Sequence, residues 1–281
     1  MTSDEYHASE GTSKSKLDAV DVSARHYWLK YLNPNKKEEE KTKEHFIIGR
    51  ASHSAVLEPE DFESSFVTIP ENAPNRPTKA QLKAVKKSDA ALSCIAWWDD
   101  FDEENKGKTP LTQMQYQDCL EYRDCVWSDS TASGMLSHGA AEQSHFAKDP
   151  ETGLLLKCRP DYNNHKFGIM TDLKFVRDAS EDGFGRACGN HRYDVQAAFY
   201  QDVYRMAEGE KDFIFAFIAI EKGDYGPVLG IYDADDEMVR SGRNKWRRNV
   251  NRLAQCYEND YWPGYGSGIP VKFPKYKKDL L

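Results

Sequence analysis

The 281-residue sequence is poor in long apolar runs, paired cysteines, internal repeats and positive charge. No stretch approaches the roughly 20 consecutive apolar residues of a membrane-spanning helix. Met1 to Lys16 also lacks the apolar centre of a secretory leader, so a cytoplasmic protein without membrane association is expected. Six cysteines (Cys94, Cys119, Cys125, Cys158, Cys188 and Cys256) show no C-x-x-C spacing. That argues against a zinc site or an iron–sulfur cluster and for reduced thiols. The formal net charge of −8 has the wrong sign for a protein that coats nucleic acid by bulk charge. An enzyme with acidic metal ligands can still be acidic overall if its basic residues are focused locally.

What is there is enough for a core: 39% hydrophobic and 12% aromatic residues, with 30% charged. Residues 1–16 are rich in Ser, Thr, Glu and Lys and are expected to be a disordered tail. Residues 17–281 are expected to form one domain, with about 60–140 as a helical insertion or arm and about 260–281 as a C-terminal arm.

The most informative stretch is R-P-D-Y-N-N-H-K-F-G-I-M-T-D-L-K, Arg159 to Lys174. Turn-rich Asn163-Asn164-His165-Lys166 separates two strand-like halves, which reads as a hairpin. Folding back brings Asp161 beside Asp172. Residues two apart share a strand face, so Asp172 and Lys174 point together while Leu173 and Phe175 point away. Two carboxylates and one ammonium on adjacent strands suit a hard cation and metal-assisted phosphodiester hydrolysis.

Around this hairpin, Val22 to Leu32 reads as a short helix capped by Ser23 or Asp21 and stopped before Pro34. Lys36 to Glu44 reads as a solvated charge run. Glu44 to Leu57 reads as a helix with Phe46, Gly49, His53 and Leu57 on one inward stripe. A histidine there is by default a core residue, though Gly49 one turn earlier leaves room for a ligand to approach. Lys79 to Lys87 is a basic helical stretch, and the acidic, aromatic segment from Trp97 to Glu104 suits a partner surface or a packing edge. Thr112 caps a helix reaching Met135. Glu142 to Phe146 reads as a strand, near enough to Asp161 for Glu142 to join it.

Asp178 to Gly189 reads as a loop. His191 to Glu208 reads as a helix carrying Arg192, Gln196 and Tyr200 on one face. Phe213 to Ile220 is a continuous apolar run, as in a strand covered on both sides, with Val228 to Tyr232 as its neighbour. The helix from Asp235 to about Glu258 holds Arg240, Arg243, Lys245, Arg247, Arg248 and Arg252. These form either a DNA-facing patch or a face paired with local acids.

The order of helix, three strands, helix and buried strand resembles the PD-(D/E)xK nuclease core, a mixed α/β fold with helical additions. A bare D-x10-D-x-K is weak on its own. G-R-A-S-H-S-A-V-L-E-P around His53, E-Q-S-H-F at Glu142 and Y-D-V-Q-A-A-F-Y around Gln196 and Tyr200 narrow it. Together they resemble the RecB-like branch, and within it the exonuclease VIII (RecE-type) family, from about Val22 onward. That resemblance implies a Mg²⁺-dependent exonuclease, with Mn²⁺ able to substitute and two ions per site. It would degrade the 5′-terminated strand at linear double-stranded DNA ends and leave a 3′ single strand for an annealing recombinase of RecT type. It would assemble as a ring-shaped homotetramer. By the same resemblance Asp161, Asp172 and the Leu173 carbonyl hold metal, His53 binds the second ion and Glu142 acts through a metal-bound water. Lys174 positions or deprotonates the attacking water, and Gln196 and Tyr200, with Tyr193 and Arg192, hold the phosphate or strand end. Relatives often carry hydroxyl residues after D-L-K, where this chain has Phe175 and Val176. A Cas4-type enzyme needs four cluster cysteines that this spacing does not supply. The alternatives are an endonuclease of the same fold and a non-catalytic DNA-end-binding protein.

Overall fold

The computed structural model describes residues 1–36, 44–209, 213–223 and 225–267. The first segment is ordered, not the tail expected from its composition. It forms two helices, Ser3–Ala8 (α1) and Lys14–Val22 (α2). A capping box between Thr2 and Glu5 starts α1. The Lys157 ammonium donates to the carbonyls of Tyr6 and Ser9 at 2.6 and 2.8 Å, and Tyr6 is buried. Those partners lie about 150 residues away in sequence, so local composition carries no sign of them. Ser23 then caps Ala24–Tyr27 (α3) by accepting from the His26 N–H, and a wider turn continues to Leu32. Most of the Lys36–Glu44 charge run lies outside the described residues.

Helix Glu44–Leu57 (α4) buries Ala51, Ser52, Ala55 and Val56 rather than the expected stripe. Phe46 is exposed, His53 is half-buried, and a side chain added at Gly49 would meet only open space. The next elements are Pro59–Ser65 (α5), Phe66–Thr68 (β1), Lys79–Lys83 (α6), Asp89–Glu104 (α7) and Thr109–Leu111 (β2). Strands β1 and β2 pair in parallel, and Phe62, Phe66 and Leu111 pack with Ala51 and Ala55 of α4 into a satellite core. Thr112 caps Gln113–Ser128 (α8), and the chain breaks at Asp129 before Ser130–Met135 (α9). Tyr122, Val126 and Met135 pack on the main sheet. The expected insertion therefore stops near Leu111, and residues 113–140 belong to the central packing.

The remaining elements are Gly139–Ala141 (β3), His145–Lys148 (β4), Leu155–Cys158 (β5), Tyr162–Asn164 (β6), Ile169–Val176 (β7), Glu181–His191 (α10), Tyr193–Glu208 (α11), Ile214–Gly223 (β8), Gly226–Asp233 (β9) and Asp236–Asn259 (α12). A five-stranded mixed sheet runs β3-β6-β7-β8-β9, while β4 and β5 pair separately. Strands β7 and β8 are parallel, and the other pairs of the large sheet are antiparallel. Alternation splits β8 between two cores. Phe215, Phe217 and Ala219 face Phe184, Ala197 and Tyr204 on one side. Ala216, Ile218 and Ile220 face Val56, Tyr122 and Val126 on the other.

Helix α10 replaces the loop expected at Asp178–Gly189. Ser180 caps it, Glu181 and Asp182 occupy its first turn, and Phe184 anchors it, which outweighs three glycines. Helices α11 and α12 cross closely at Gly242, where an added Cβ would sit 1.9 Å from the Asp194 carbonyl oxygen. The basic residues of α12 are largely spent on acids of the same chain. Arg243 grips Asp202 with two bonds of 2.7 Å, Lys245 pairs with Asp194, Arg247 with Asp149, and Arg248 with Asp21. The DNA-facing reading of this helix loses to the paired one. After α12 the described chain folds back so that the Trp262 ring stacks on Tyr27 and Arg25 N–H meets the Pro263 carbonyl at 3.0 Å. The rest of the expected C-terminal arm, from 268, lies outside the described residues. Among the described residues no helix is long and apolar enough to cross a membrane.

Candidate active site

Between β5 and β6 the chain leaves one sheet for the other across Arg159-Pro160-Asp161. Proline has no N–H to give a ladder, and β6 begins pairing only at Tyr162, opposite Thr171. One step back along that register puts Asp161 opposite Asp172. The edge of β7 is open there, and the Leu173 N–H donates to Asp161 Oδ2 at 2.7 Å. N–H and C=O of one extended residue point to the same edge, so the Leu173 carbonyl also faces the Asp161 side. The hairpin is as expected, with Asn163 and Asn164 in β6 and the turn shifted to His165–Gly168.

Asp172 and Lys174 share a face and are ion-paired. Gln196, from α11, donates to Asp172 Oδ1. On the other face, α4 brings His53 Nδ1 to 3.3 Å from Asp161 Oδ2. The His53 ring meets Phe175 edge-on with centroids 5.3 Å apart, and Phe175 also packs on Tyr122. Phe175, the first residue after D-L-K, thus steadies the imidazole. Glu142 is not in a strand: it follows β3 in a left-handed conformation (φ 51°) and its N–H bonds the Asp161 carbonyl at 3.0 Å. Its Oε2 accepts from Arg159 Nε at 2.6 Å.

The charges are crowded. Burial and then the Asp161 charge push Asp172 up to about 6, against the opposing Lys174 ammonium. Burial and Asp161 likewise push Glu142 up to about 7 despite Arg159. Burial alone would raise Asp161, but His53, Lys174 and the Leu173 N–H hold it below the usual carboxylate range. Burial alone would depress His53 and Lys174, but the neighbouring carboxylates hold both above their ordinary values. Carboxylates gathered in a poorly solvated pocket attract a divalent cation. The donor set fits one: an atom from each of His53, Glu142 and Asp161 lies within 4.8 Å of the other two, the only such group among the described residues. Asp172 Oδ2 is buried and makes no well-aligned hydrogen bond, facing only the Lys174 ammonium.

Residues 13–270 match the model of the PDDEXK-like domain of unknown function (DUF3799). The chain belongs to this PDDEXK-like family. A candidate exonuclease from Eubacterium rectale is similar in structure, with TM-score 0.61 and 18% identity over 100% of this chain and 97% of that one. At that identity the likeness is one of fold. The protein SSO0001 aligns over 79% of this chain and 93% of its own at TM-score 0.30 and 12% identity, too little to carry an argument. No curated protein matches the sequence.

The other expected phosphate contacts of this PDDEXK-like chain divide. Gln196 and Tyr200 line one cleft of about 430 Å³. Tyr193 lies under the Lys174 ammonium, 4.6 Å from ring centre to nitrogen, and packs on Phe184 and Phe217. Arg192 points elsewhere. It is the left-handed hinge between α10 and α11, and its guanidinium is ion-paired with Asp18 and Asp21. Two residues escaped the sequence reading. Arg159 holds Glu142, and its position two before Asp161 in R-P-D was the available signal. Arg50 lines the cleft of about 450 Å³ that His53, Glu142 and Arg159 open onto, with no signal beyond its place one turn before His53.

Proposed function

We propose that this chain is a divalent-metal-dependent exodeoxyribonuclease that degrades the 5′-terminated strand of linear double-stranded DNA. The observation that supports it best is Asp161 opposite Asp172, with Lys174 on the Asp172 face and His53 and Glu142 across the open edge of β7. His53, Asp161, Asp172 and the Leu173 carbonyl would hold the metal, with Glu142 beside them. When bound, Mg²⁺ (or Mn²⁺ in its place), two ions in the arrangement the resemblance implies, supplies positive charge against the attacking and leaving oxygens of an in-line displacement.

The protein's own groups orient and time the reaction. The Lys174 ammonium holds the attacking water by hydrogen bond and favours its hydroxide form. Glu142, held by Arg159 beside the site, accepts a hydrogen bond from water there. The Gln196 amide and Tyr200 hydroxyl, on the α11 face toward Asp172, steady the phosphate. Phe175 fixes the imidazole plane so that Nδ1 stays on the Asp161 side. In this reading the product is a 3′ single-stranded overhang for an annealing recombinase, and the enzyme works as a ring-shaped homotetramer.

The test is digestion of linear duplex labelled at the 5′ or the 3′ end, in Mg²⁺ and in EDTA, beside a covalently closed circle. Loss of the 5′ label first, in Mg²⁺ only, with the circle spared, is expected. Earlier loss of the 3′ label contradicts the polarity, and cutting of the circle makes the enzyme an endonuclease.

A further inference from the structure

The helix that looked most like a DNA-binding element, α12, has spent its charge on internal acids. Positive charge survives in the 430 Å³ cleft beside Gln196. Lys14, Lys16 and Lys157 line it with Ser13, Ser15 and Gln196, and no carboxylate is among its walls. Lys14 is offset by Asp18 at 2.8 Å. The other two ammonium groups are not offset.

Lys157 is 2% exposed and bonds only neutral oxygens, the carbonyls of Tyr6 and Ser9 and the Ser9 hydroxyl. Lys16 bonds the Gly11 carbonyl at 2.7 Å. Neither has a carboxylate within ion-pairing distance among the described residues, and burial, then the nearby Lys16 ammonium, disfavour the charged form of Lys157. A buried ammonium without a counter-charge is costly, and beside an open cleft it favours an anion there. Ser13 and Ser15 add hydroxyls 3.0 Å apart at the start of α2, where the Ser13 side chain makes no cap bond.

From this cleft we infer a binding site for a phosphodiester of the polynucleotide strand, next to the phosphate that is cut, seated on Lys16 Nζ and the Ser13 and Ser15 hydroxyls. Lys157 acts from below: it supplies charge and pins the segment that forms the wall. Tyr31 presents aromatic surface to the sugar or base, as strand-binding grooves do. Gln196 joins this cleft to Asp172, so the strand passes from the cleft onto the open edge of β7. The inference rests on the nuclease reading only for its occupant.

The test is fluorescence anisotropy of a short single-stranded oligonucleotide with a 5′-hydroxyl end, bound to the full chain in EDTA, where no cleavage intervenes. Lys16→Gln is expected to weaken binding about three- to tenfold and to shrink the logarithmic salt slope by ~0.7, the share of one phosphate contact. Ser15→Asp is expected to weaken it further. Its carboxylate sits in the first turn of α2, where a negative charge suits the helix, so a loss cannot be blamed on misfolding. Lys83→Gln on exposed α6 removes the same charge elsewhere and should change binding less than about twofold. The inference is overturned if Lys16→Gln and Ser15→Asp bind as the wild type does, or lose no more than Lys83→Gln. It is also overturned if binding requires a terminal 5′-phosphate. Failure of the wild type to cut DNA in Mg²⁺ would sink the nuclease reading and leave this binding result standing.

Discussion

Loading the site with a divalent cation should release protons, and the amount should depend steeply on pH. A bound cation requires ionised carboxylates and a neutral imidazole. Before a cation binds, burial and Asp161 push Glu142 up to about 7 and Asp172 up to about 6. At pH 6.5 those values leave ~0.8 proton on Glu142 and ~0.2 on Asp172, about one in total for the coupled group. His53, held above its ordinary value by Asp161 once burial is overcome, adds to that release. At pH 8.5 the carboxylates together hold less than ~0.1 proton. Protons and cation compete for the same oxygens, so affinity should rise with pH between about 6 and 8 and then level off. The assay is calorimetric titration with Mn²⁺ or Mg²⁺ in two buffers of unlike ionisation heat, repeated at both pH values. Glu142→Gln should remove most of the carboxylate share at pH 6.5. Release well under half a proton at pH 6.5, or the same release in Glu142→Gln, would refute the charge crowding described for this pocket.

Other expectations are simpler to check. Asp172→Ala should abolish cleavage of linear duplex in Mg²⁺, by at least ~10³-fold, with an unchanged circular dichroism spectrum. Wild-type-like turnover in that variant overturns the site. Phe175→Ala frees the His53 ring and should lower metal affinity about tenfold in the same titration. Gly242→Ala forces a Cβ against the Asp194 carbonyl oxygen and should cost about 3 kcal/mol in urea unfolding. Burial would raise the fully buried Asp149, but Thr152 and Arg247 hold it below its ordinary value. Its contribution is therefore fully present above that ordinary value and is lost as pH falls through the depressed one. Arg247→Met should accordingly destabilise by about 3 kcal/mol at pH 7, and the gap should narrow on acidification below pH ~4.

Local pattern made much of the central layer legible. Phe213 to Ile220 announced a strand covered on both faces, and β8 divides its side chains between two cores. The R-P-D and D-L-K halves announced a hairpin with two facing acids, because register follows from the turn and from period two. Less was legible where partners are distant. The segment from Met1 to Lys16 looked disordered because its order comes from Lys157 and Leu155. The α4 stripe was misjudged because small residues, Ala51, Ser52 and Ala55, bury more completely than Phe46 when another helix comes close. Arg192 reads as a phosphate contact, and the α12 cations stay divided between DNA and local acids, because composition does not show that Asp18, Asp21, Asp194 and Asp202 wait opposite them.

By itself, then, the sequence determined the central strands β6 to β9, the caps at Ser23 and Thr112 and the pairing of Asp161 with Asp172, all fixed by dihedral preference and side-chain period within a few residues. Tertiary structure alone decided which charges meet. It left Glu142 holding Arg159 beside the open edge of β7, and it left Lys16 and Lys157 as the uncompensated cations of the cleft. The physical reason is range: periodicity acts over a turn of chain, whereas desolvation and charge pairing depend on which distant surfaces the fold presses together.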